Sequence, residues 1–394
     1  MKYIIFCRDF KPLIGGVAEY VSNLAGYLHK KDHLAYVLTH LHQNEDSIYR
    51  VEISAMKHER KLTKRILDEY VIFRKINSII HYSILHLQAI VDCFPILLKK
   101  DRYKVVIGSY YDYQTSIFID VCKFFSIPYD IVIHGYDLIA KSDFYLKKCL
   151  NHCRSAKRLV FNSYATKSLY QSISEFQPEQ KRIILYPALK KEYIDQITNN
   201  PLALHDFREP DKFLFTSVTR LTKRKGIDIA IRICVELHTL YPHFKYIICG
   251  SGEEEETLKQ LVHENGADAY IKFQGVVSEK QKYNLLMQSD VFLMPTHNVN
   301  DKDWEGFGIS FIEAGYLKNL IVSGVNGGTV EAVNRNLAIC IDKFSDEQLK
   351  AVVSEIKKVL SNPVVLEKRK DLTSIWVVEN FTFEKVINDF LTND

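Results

Sequence analysis

Most of the short apolar runs in this 394-residue chain are apolar at successive positions, not at alternate ones. The runs are Tyr3–Cys7, Val105–Gly108, Ile131–His134, Leu159–Asn162, Phe213–Val218, Tyr246–Cys249, Ile271–Phe273, Val291–Met294 and Leu320–Val322. A strand with that pattern has both faces covered, as in a parallel sheet flanked by helices. Helical patterns fall between the runs, at Ala18–Leu28, Ile227–Leu240, Glu254–Glu264 and Glu279–Gln288. The alternation of strand and helix predicts a doubly wound α/β fold.

The length exceeds what one core ordinarily serves. Two polar, turn-rich stretches, Thr198-Asn199-Asn200-Pro201 and Arg208-Glu209-Pro210-Asp211, precede the fresh strand at Phe213. The expected organisation is therefore two Rossmann-like domains, residues 1–195 and 205–375. Residues 376–394 are expected to form a C-terminal helix that packs back on the first domain. Ligands of such sheets sit outside the carboxyl ends of the strands, so two facing sheets would form a deep cleft.

A composition of 47% hydrophobic and 25% charged residues excludes disordered and fibrous classes. The N-terminal apolar run stops at Arg8 and Asp9, which suits a first strand and not a secretory signal. The longest apolar region, Ile76–Leu98, contains His81, His86, Gln88, Asp92 and Pro95, and so reads as packed helix and not as a membrane span. Cys149 and Cys153 lie one helical turn apart beside His152, but no further ligands follow at matching spacing. They read as reduced packing thiols, in keeping with a cytoplasmic protein. Residues 1–191 carry 29 Lys/Arg against 18 Asp/Glu, whereas residues 192–394 carry 23 against 30. That asymmetry points the first half toward an anionic partner. Two basic clusters, Lys57/Arg60/Lys61/Lys64/Arg65 and Lys99/Lys100/Arg102/Lys104, are either a peripheral contact with anionic lipid on the inner membrane face or solvated helix faces. No nucleic-acid motif is present.

The residues with chemical potential cluster after predicted strands. Arg220, Lys223, Arg224 and Lys225 follow Phe213–Val218, where cations can bind a diphosphate and stabilise the charge that grows as it leaves. Gly250 and Gly252 end the strand at Cys249 and would admit a ligand close to the backbone. The segment Trp304-Glu305-Gly306-Phe307-Gly308-Ile309 leads into a helix whose first amides form a natural cradle for phosphate oxygens. Glu313, about one turn into that helix and surrounded by apolar neighbours, is a candidate acceptor for ribose hydroxyls. Gly15-Gly16 and Gly327-Gly328 are further glycine turns before helices. His134, at a strand end before Gly135, is a candidate for positioning an acceptor hydroxyl or touching the donor sugar; a structural histidine is the alternative.

Taken together, these residues resemble the retaining glycosyltransferases of the GT-B fold, family four. The resemblance runs over nearly the whole chain and is strongest from Lys212 to Val333. Glu305-Gly306-Phe307-Gly308 with Glu313 matches the family's E-x7-E pattern. Gly15-Gly16, Arg220, Lys225-Gly226, Gly250-Ser251-Gly252, Asp290–Pro295, Gly327-Gly328 and Glu331 follow in the family's order. The resemblance implies that Gly16 approaches the donor phosphate through its backbone. It implies that Arg220 and Lys225 bind the diphosphate, that Glu313 holds the ribose and that Glu305 contacts the transferred sugar. The amides of Phe307, Gly308 and Ile309 would hold the sugar or phosphates. It further implies a nucleotide-diphosphate-sugar donor, a glycan or lipid-linked acceptor, retention of configuration, a leaving phosphate that takes the acceptor's proton, and no metal or other cofactor. The setting implied is surface polysaccharide biosynthesis.

The chain departs from the family after the second glutamate, where Gly315–Val322 lacks the usual Gly and Pro before the next strand. Asp301-Lys302-Asp303 resembles a metal-binding D-x-D motif of a different fold and reads as loop charge. Other readings are an epimerase or phosphorylase on the same fold, or a non-catalytic partner protein that binds nucleotide sugar. An NAD-type oxidoreductase is disfavoured, because the first strand–helix turn lacks the Gly-x-Gly-x-x-Gly fingerprint.

Overall fold

The computed structural model describes residues 2–11, 13, 15–39, 50–52, 90, 103–110, 113–139, 142–199, 206–299 and 303–392. The basic residues 57–65 and 99–102, most of the apolar region 76–98, and residues 301–302 lie outside them.

The chain divides into two compact units. The first comprises Met1–Asn162, Thr166–Leu185 and Thr392–Asp394; the second comprises Ser163–Ala165 and Tyr186–Leu391. In chain order the first unit carries β1 (Lys2–Phe6), α1 (Gly16–Lys30), β2 (Leu34–Thr39), β3 (Arg50–Glu52), β4 (Tyr103–Ile107), α2 (Tyr113–Phe124), β5 (Tyr129–Ile133), α3 (Tyr136–Ile139), α4 (Asp143–Ser155), β6 (Arg158–Phe161), α5 (Tyr164–Ile173) and β7 (Lys181–Ile184). The second carries α6 (Lys191–Thr198), β8 (Phe213–Val218), α7 (Ile227–Leu240), β9 (Phe244–Cys249), α8 (Glu255–Glu264), β10 (Ile271–Gly275), α9 (Glu279–Gln288), β11 (Val291–Met294), α10 (Ile309–Tyr316), β12 (Leu320–Gly324), α11 (Thr329–Ala332), β13 (Ile339–Ile341), α12 (Asp346–Leu360), α13 (Pro363–Phe381), α14 (Phe383–Val386) and α15 (Asn388–Thr392).

Each unit is built on one parallel sheet. The first has the order β3-β2-β1-β4-β5-β6-β7, the second β10-β9-β8-β11-β12-β13. Successive side chains of β11 show why its residues are apolar throughout. Val291 and Leu293 join a core with α7 and α12, while Phe292 and Met294 join a second core with α9, α10 and α13. Both faces are covered, as the unbroken apolar runs require. In the first unit Ile4, Phe6, Val105, Ile107, Ile131 and Ile133 pack with α2 and α4, and Cys149 and Cys153 are buried in that core.

All nine strands expected from the sequence are present. The short edge strands β3, β7 and β13, as well as β2, were not legible as apolar runs. The helix expected over residues 376–394 is corrected by the structure. Asn362 caps α13 by accepting from the Val365 amide at 3.2 Å, and Pro363 opens the helix, which ends at Phe381 and is followed by two short helices. No helix among the described residues is long and apolar enough to cross a membrane.

Candidate functional site

In the second sheet the strand order reverses between β8 and β11, and the loops that leave their carboxyl ends meet there. Gly226 lies between a short 3-10 turn, Lys223–Lys225, and α7, in the left-handed region at φ 68°. A side chain at Gly226 would collide with the Pro295 carbonyl, and the His297 amide donates to the Arg224 carbonyl at 2.9 Å. Glycine at this position therefore lets the loop after β8 lie directly on the loop after β11.

That contact assembles a charged cluster. Lys225 is buried, and its ammonium donates to Glu305 Oε2 at 2.6 Å. Arg224 reaches the same carboxylate oxygen at 3.5 Å and Asp303 at 3.5 Å. Arg220 stands exposed at the end of β8. Burial pushes the Lys225 ammonium below its ordinary pKa, and Arg224 and Arg220 push the same way against the pull of Glu305. Burial would raise the Glu305 carboxyl, but Lys225 and Arg224 outweigh it and hold the carboxyl below its ordinary value. The two shifts differ in cause: burial dominates at Lys225, with the neighbouring arginines adding to it, whereas at Glu305 the neighbouring cations prevail over burial. A site with surplus positive charge at a sheet's carboxyl edge suits a polyanion.

Close by, α10 begins at Gly308, which caps it without a side-chain bond. Among the described residues the amides of Phe307, Gly308 and Ile309 donate to no protein acceptor. Ser310 ties this helix start to β8, its hydroxyl donating to the Val218 carbonyl at 3.1 Å. The Phe307 ring is core, packed against Tyr186 and Phe381. Its candidate contribution is thus its amide alone. Glu313, the fifth residue of α10, is only 4% exposed. Its Oε1 accepts from Lys282 Nζ at 2.6 Å and from the Tyr283 hydroxyl at 2.8 Å. Sequence reasoning missed Lys282 and Tyr283, which lie about thirty residues upstream on α9 with no local signal to join them to Glu313.

The glycines of this unit also have a structural reason. Gly250 and Gly252 were expected to admit a ligand; side chains there would strike the Thr219 and Leu221 carbonyls. The Gly250 amide is also spent on the Gly275 carbonyl at 2.8 Å. These glycines admit the neighbouring loop. Gly327 and Gly328 do likewise for the carbonyls of Glu305 and Gly306, and the Gly328 amide donates to the Glu305 carbonyl at 2.8 Å. The Gly-rich turn after β12 is thus the backbone support of Glu305 and Gly306. Glu331, on α11 just after it, accepts from the Tyr186 hydroxyl at 2.8 Å.

In the first unit the order reverses between β1 and β4. Gly15 and Gly16 open α1, and a side chain at either would meet nothing within 4 Å. His134 follows β5 and is 7% exposed. Its Nε2 bonds to the Gly108 carbonyl at 2.8 Å, its amide donates to Asp137 Oδ2 at 2.6 Å, and its ring meets Tyr20 edge-on. Burial raises the pKa of Asp137 despite these amide bonds. One ring nitrogen of His134 is therefore committed to holding β4 against β5. Arg220, Lys225, Glu305 and Glu313 belong to the other unit, together with the glycines and amides that follow Cys249.

Comparison with known proteins fits this geometry. Residues 205–375 match the family model described as glycosyl transferases group 1. The amylovoran biosynthesis glycosyltransferase AmsK of Erwinia amylovora is 30% identical over 156 residues, a stretch covering 39% of this chain and only 38% of that relative. A component of the human phosphatidylinositol N-acetylglucosaminyltransferase is 24% identical over 358 residues, covering 88% of this chain and 67% of that protein. Among solved structures, sucrose-phosphate synthase from Thermosynechococcus elongatus superposes with a TM-score of 0.74 at 13% identity, covering 100% of this chain and 98% of that one. Anabaena HepE in complex with UDP gives 0.67 at 14% identity, covering 100% and 99%. At such identities the likeness shows the fold, which is the GT-B architecture of two Rossmann-like domains. The stretch that matches the glycosyl transferases, group 1, residues 205–375, is the one that holds the cation cluster, the open amides and both glutamates.

Proposed function

We propose that this protein is a glycosyltransferase that moves a hexose-type sugar from a nucleotide-diphosphate donor to a hydroxyl of a glycan or lipid-linked acceptor, with retention of configuration and without a metal. The observation that carries the reading is the surplus of cations at the carboxyl edge of β8 and β11, beside open amides at the start of α10. In the proposed reaction the bond between the sugar's anomeric carbon and the diphosphate oxygen breaks. The acceptor oxygen bonds to that carbon on the same face, and its proton passes to the departing phosphate. Negative charge grows on the diphosphate as it leaves, and Lys225 and Arg220 are the groups to stabilise it. Phe307, Gly308 and Ile309 would donate their amides to the sugar or phosphate oxygens. Glu305, fixed by Lys225 and Arg224, would meet the sugar, and Glu313 the ribose. In this scheme side-chain cations do the work that a divalent ion performs elsewhere.

The names of similar proteins support the reading: amylovoran and phosphatidylinositol appear in the names of two relatives, and HepE is seen with UDP and with UDP-glucose. A surface polysaccharide or glycolipid pathway on the inner membrane face is part of the proposal, supported by the basic first half of the chain. The test is thermal unfolding against a panel of nucleotides and nucleotide sugars with a chelator present. Binding to the native state raises the midpoint by mass action. We expect a rise with one nucleoside diphosphate, lost in Lys225→Ala. A rise with NAD or NADP alone would overturn the reading.

A further inference from the structure

We propose that Lys282 and Tyr283 are positioning residues that set the Glu313 carboxylate to receive a vicinal diol, the 2′- and 3′-hydroxyls of a nucleotide ribose. The inference rests on the donor reading above and adds what makes Glu313 competent for it. A carboxylate has two oxygens, and here the protein uses only one. Lys282 Nζ at 2.6 Å and the Tyr283 hydroxyl at 2.8 Å both donate to Oε1. Oε2 accepts from no described residue. Its two lone pairs match two adjacent hydroxyl donors.

The clamp is held on rigid elements. Tyr283 is fully buried and Glu313 nearly so, while the Lys282 side chain is 16% exposed. The Lys282 ammonium also lies 4.3 Å from the Tyr283 ring centroid, which fixes its approach. Ser278 and Gln281 close a capping box at the start of α9. At the far end of α9, Asn319 donates to the Leu286 carbonyl at 2.8 Å and to the Ala314 carbonyl at 3.0 Å, which locks α9 to α10. Two donors from one helix thus pin an acid on the next. Without the ammonium, a buried carboxylate loses its counter-charge and one of the two donors that fix its orientation.

The experiment compares the affinity of a nucleoside diphosphate with that of its 2′,3′-dideoxy counterpart by calorimetry. Wild-type protein should prefer the ribonucleotide about tenfold or more. In Lys282→Met that preference should collapse, with about tenfold weaker ribonucleotide binding and little change for the dideoxy ligand. Lys282→Arg should restore most of it, and Tyr283→Phe should show a smaller loss, again confined to the ribonucleotide. If Lys282→Met does not fold, the Tyr283→Phe and Lys282→Arg results decide the matter. Equal losses for both ligands would mean a merely structural role and overturn the inference. So would an unchanged preference in Lys282→Met and Tyr283→Phe. Wild type binding both ligands equally would remove the diol from Glu313 while leaving nucleotide binding intact. Wild type binding neither ligand would remove the donor reading and the inference together.

Discussion

Gly328→Ala should separate the glycines that support the site from those that merely turn the chain. A Cβ on residue 328 would lie 2.7 Å from the Gly306 carbonyl carbon and 2.9 Å from the Phe307 Cα. Carbon pairs rest at about 3.5–4.0 Å, so about 1 Å must open between two backbones. The segment that has to yield carries Glu305, whose carboxylate holds Lys225 at 2.6 Å and whose carbonyl takes the Gly328 amide at 2.8 Å. Overpacking costs about 1–3 kcal/mol, and a strained charge-assisted hydrogen bond adds about 1 kcal/mol more. A loss near 3 kcal/mol in a unit of this size lowers its unfolding midpoint by about 6–12 °C. A displacement of about 1 Å at groups that orient substrate costs about a hundredfold in turnover. Differential scanning calorimetry reads the first effect on the second unit's transition, and donor turnover at saturation reads the second. A midpoint within about 2 °C of wild type, together with wild-type turnover, would refute the backbone-support role of Gly327-Gly328.

Further expectations follow from other residues. Gly16→Ala should act in the opposite sense on the first unit, because the position is helical and open; a gain of about 0.4–1 kcal/mol is expected, and a loss above about 1 kcal/mol in denaturant titration would contradict the open geometry. Glu305 should give the second unit an acid-labile component of stability. Its folded pKa lies below the ordinary 4.5, so the stabilisation is complete above that value and drains away as pH falls toward the folded value. The unfolding midpoint of the wild type should therefore drop between about pH 5 and 3 more steeply than that of Glu305→Gln, and parallel slopes would rule this contribution out.

The sheets were legible because a strand buried on both faces is largely apolar at successive positions: β11 is so throughout, β8 departs only at Thr216 and Ser217, and β9 only at Lys245. Strands at the edges are harder to read: β7 begins with Lys181 and Arg182, and β13 is three residues long, so their identity comes from a neighbour and not from their own pattern. The site was legible where chemistry is local. Lys225 and Glu305 stand in loops whose composition announces them, although their mutual 2.6 Å contact spans eighty residues. The reason for Gly250 and Gly252 was not legible, since a missing side chain looks the same whether a ligand or a carbonyl fills the space. The Lys282–Tyr283 clamp was invisible for a related reason. Nothing around Lys282 distinguishes it from a surface lysine until α9 and α10 are laid side by side.

In the second sheet the loops at the carboxyl edge touch backbone to backbone in the same order as the strands beneath them. Gly250 and Gly252 seat the loop after β9 on that after β8, Gly226 seats the loop after β8 on that after β11, and Gly324, Gly327 and Gly328 seat the loop after β12 on that after β11. Such a course of stones has no mortar joint to widen. A side chain at any of the six glycines would strike a neighbouring carbonyl, so change that keeps this edge intact falls to the side chains that stand between them. New donor preferences in such a lineage should then arise by exchanging those side chains while the spacing of the glycines is inherited unaltered.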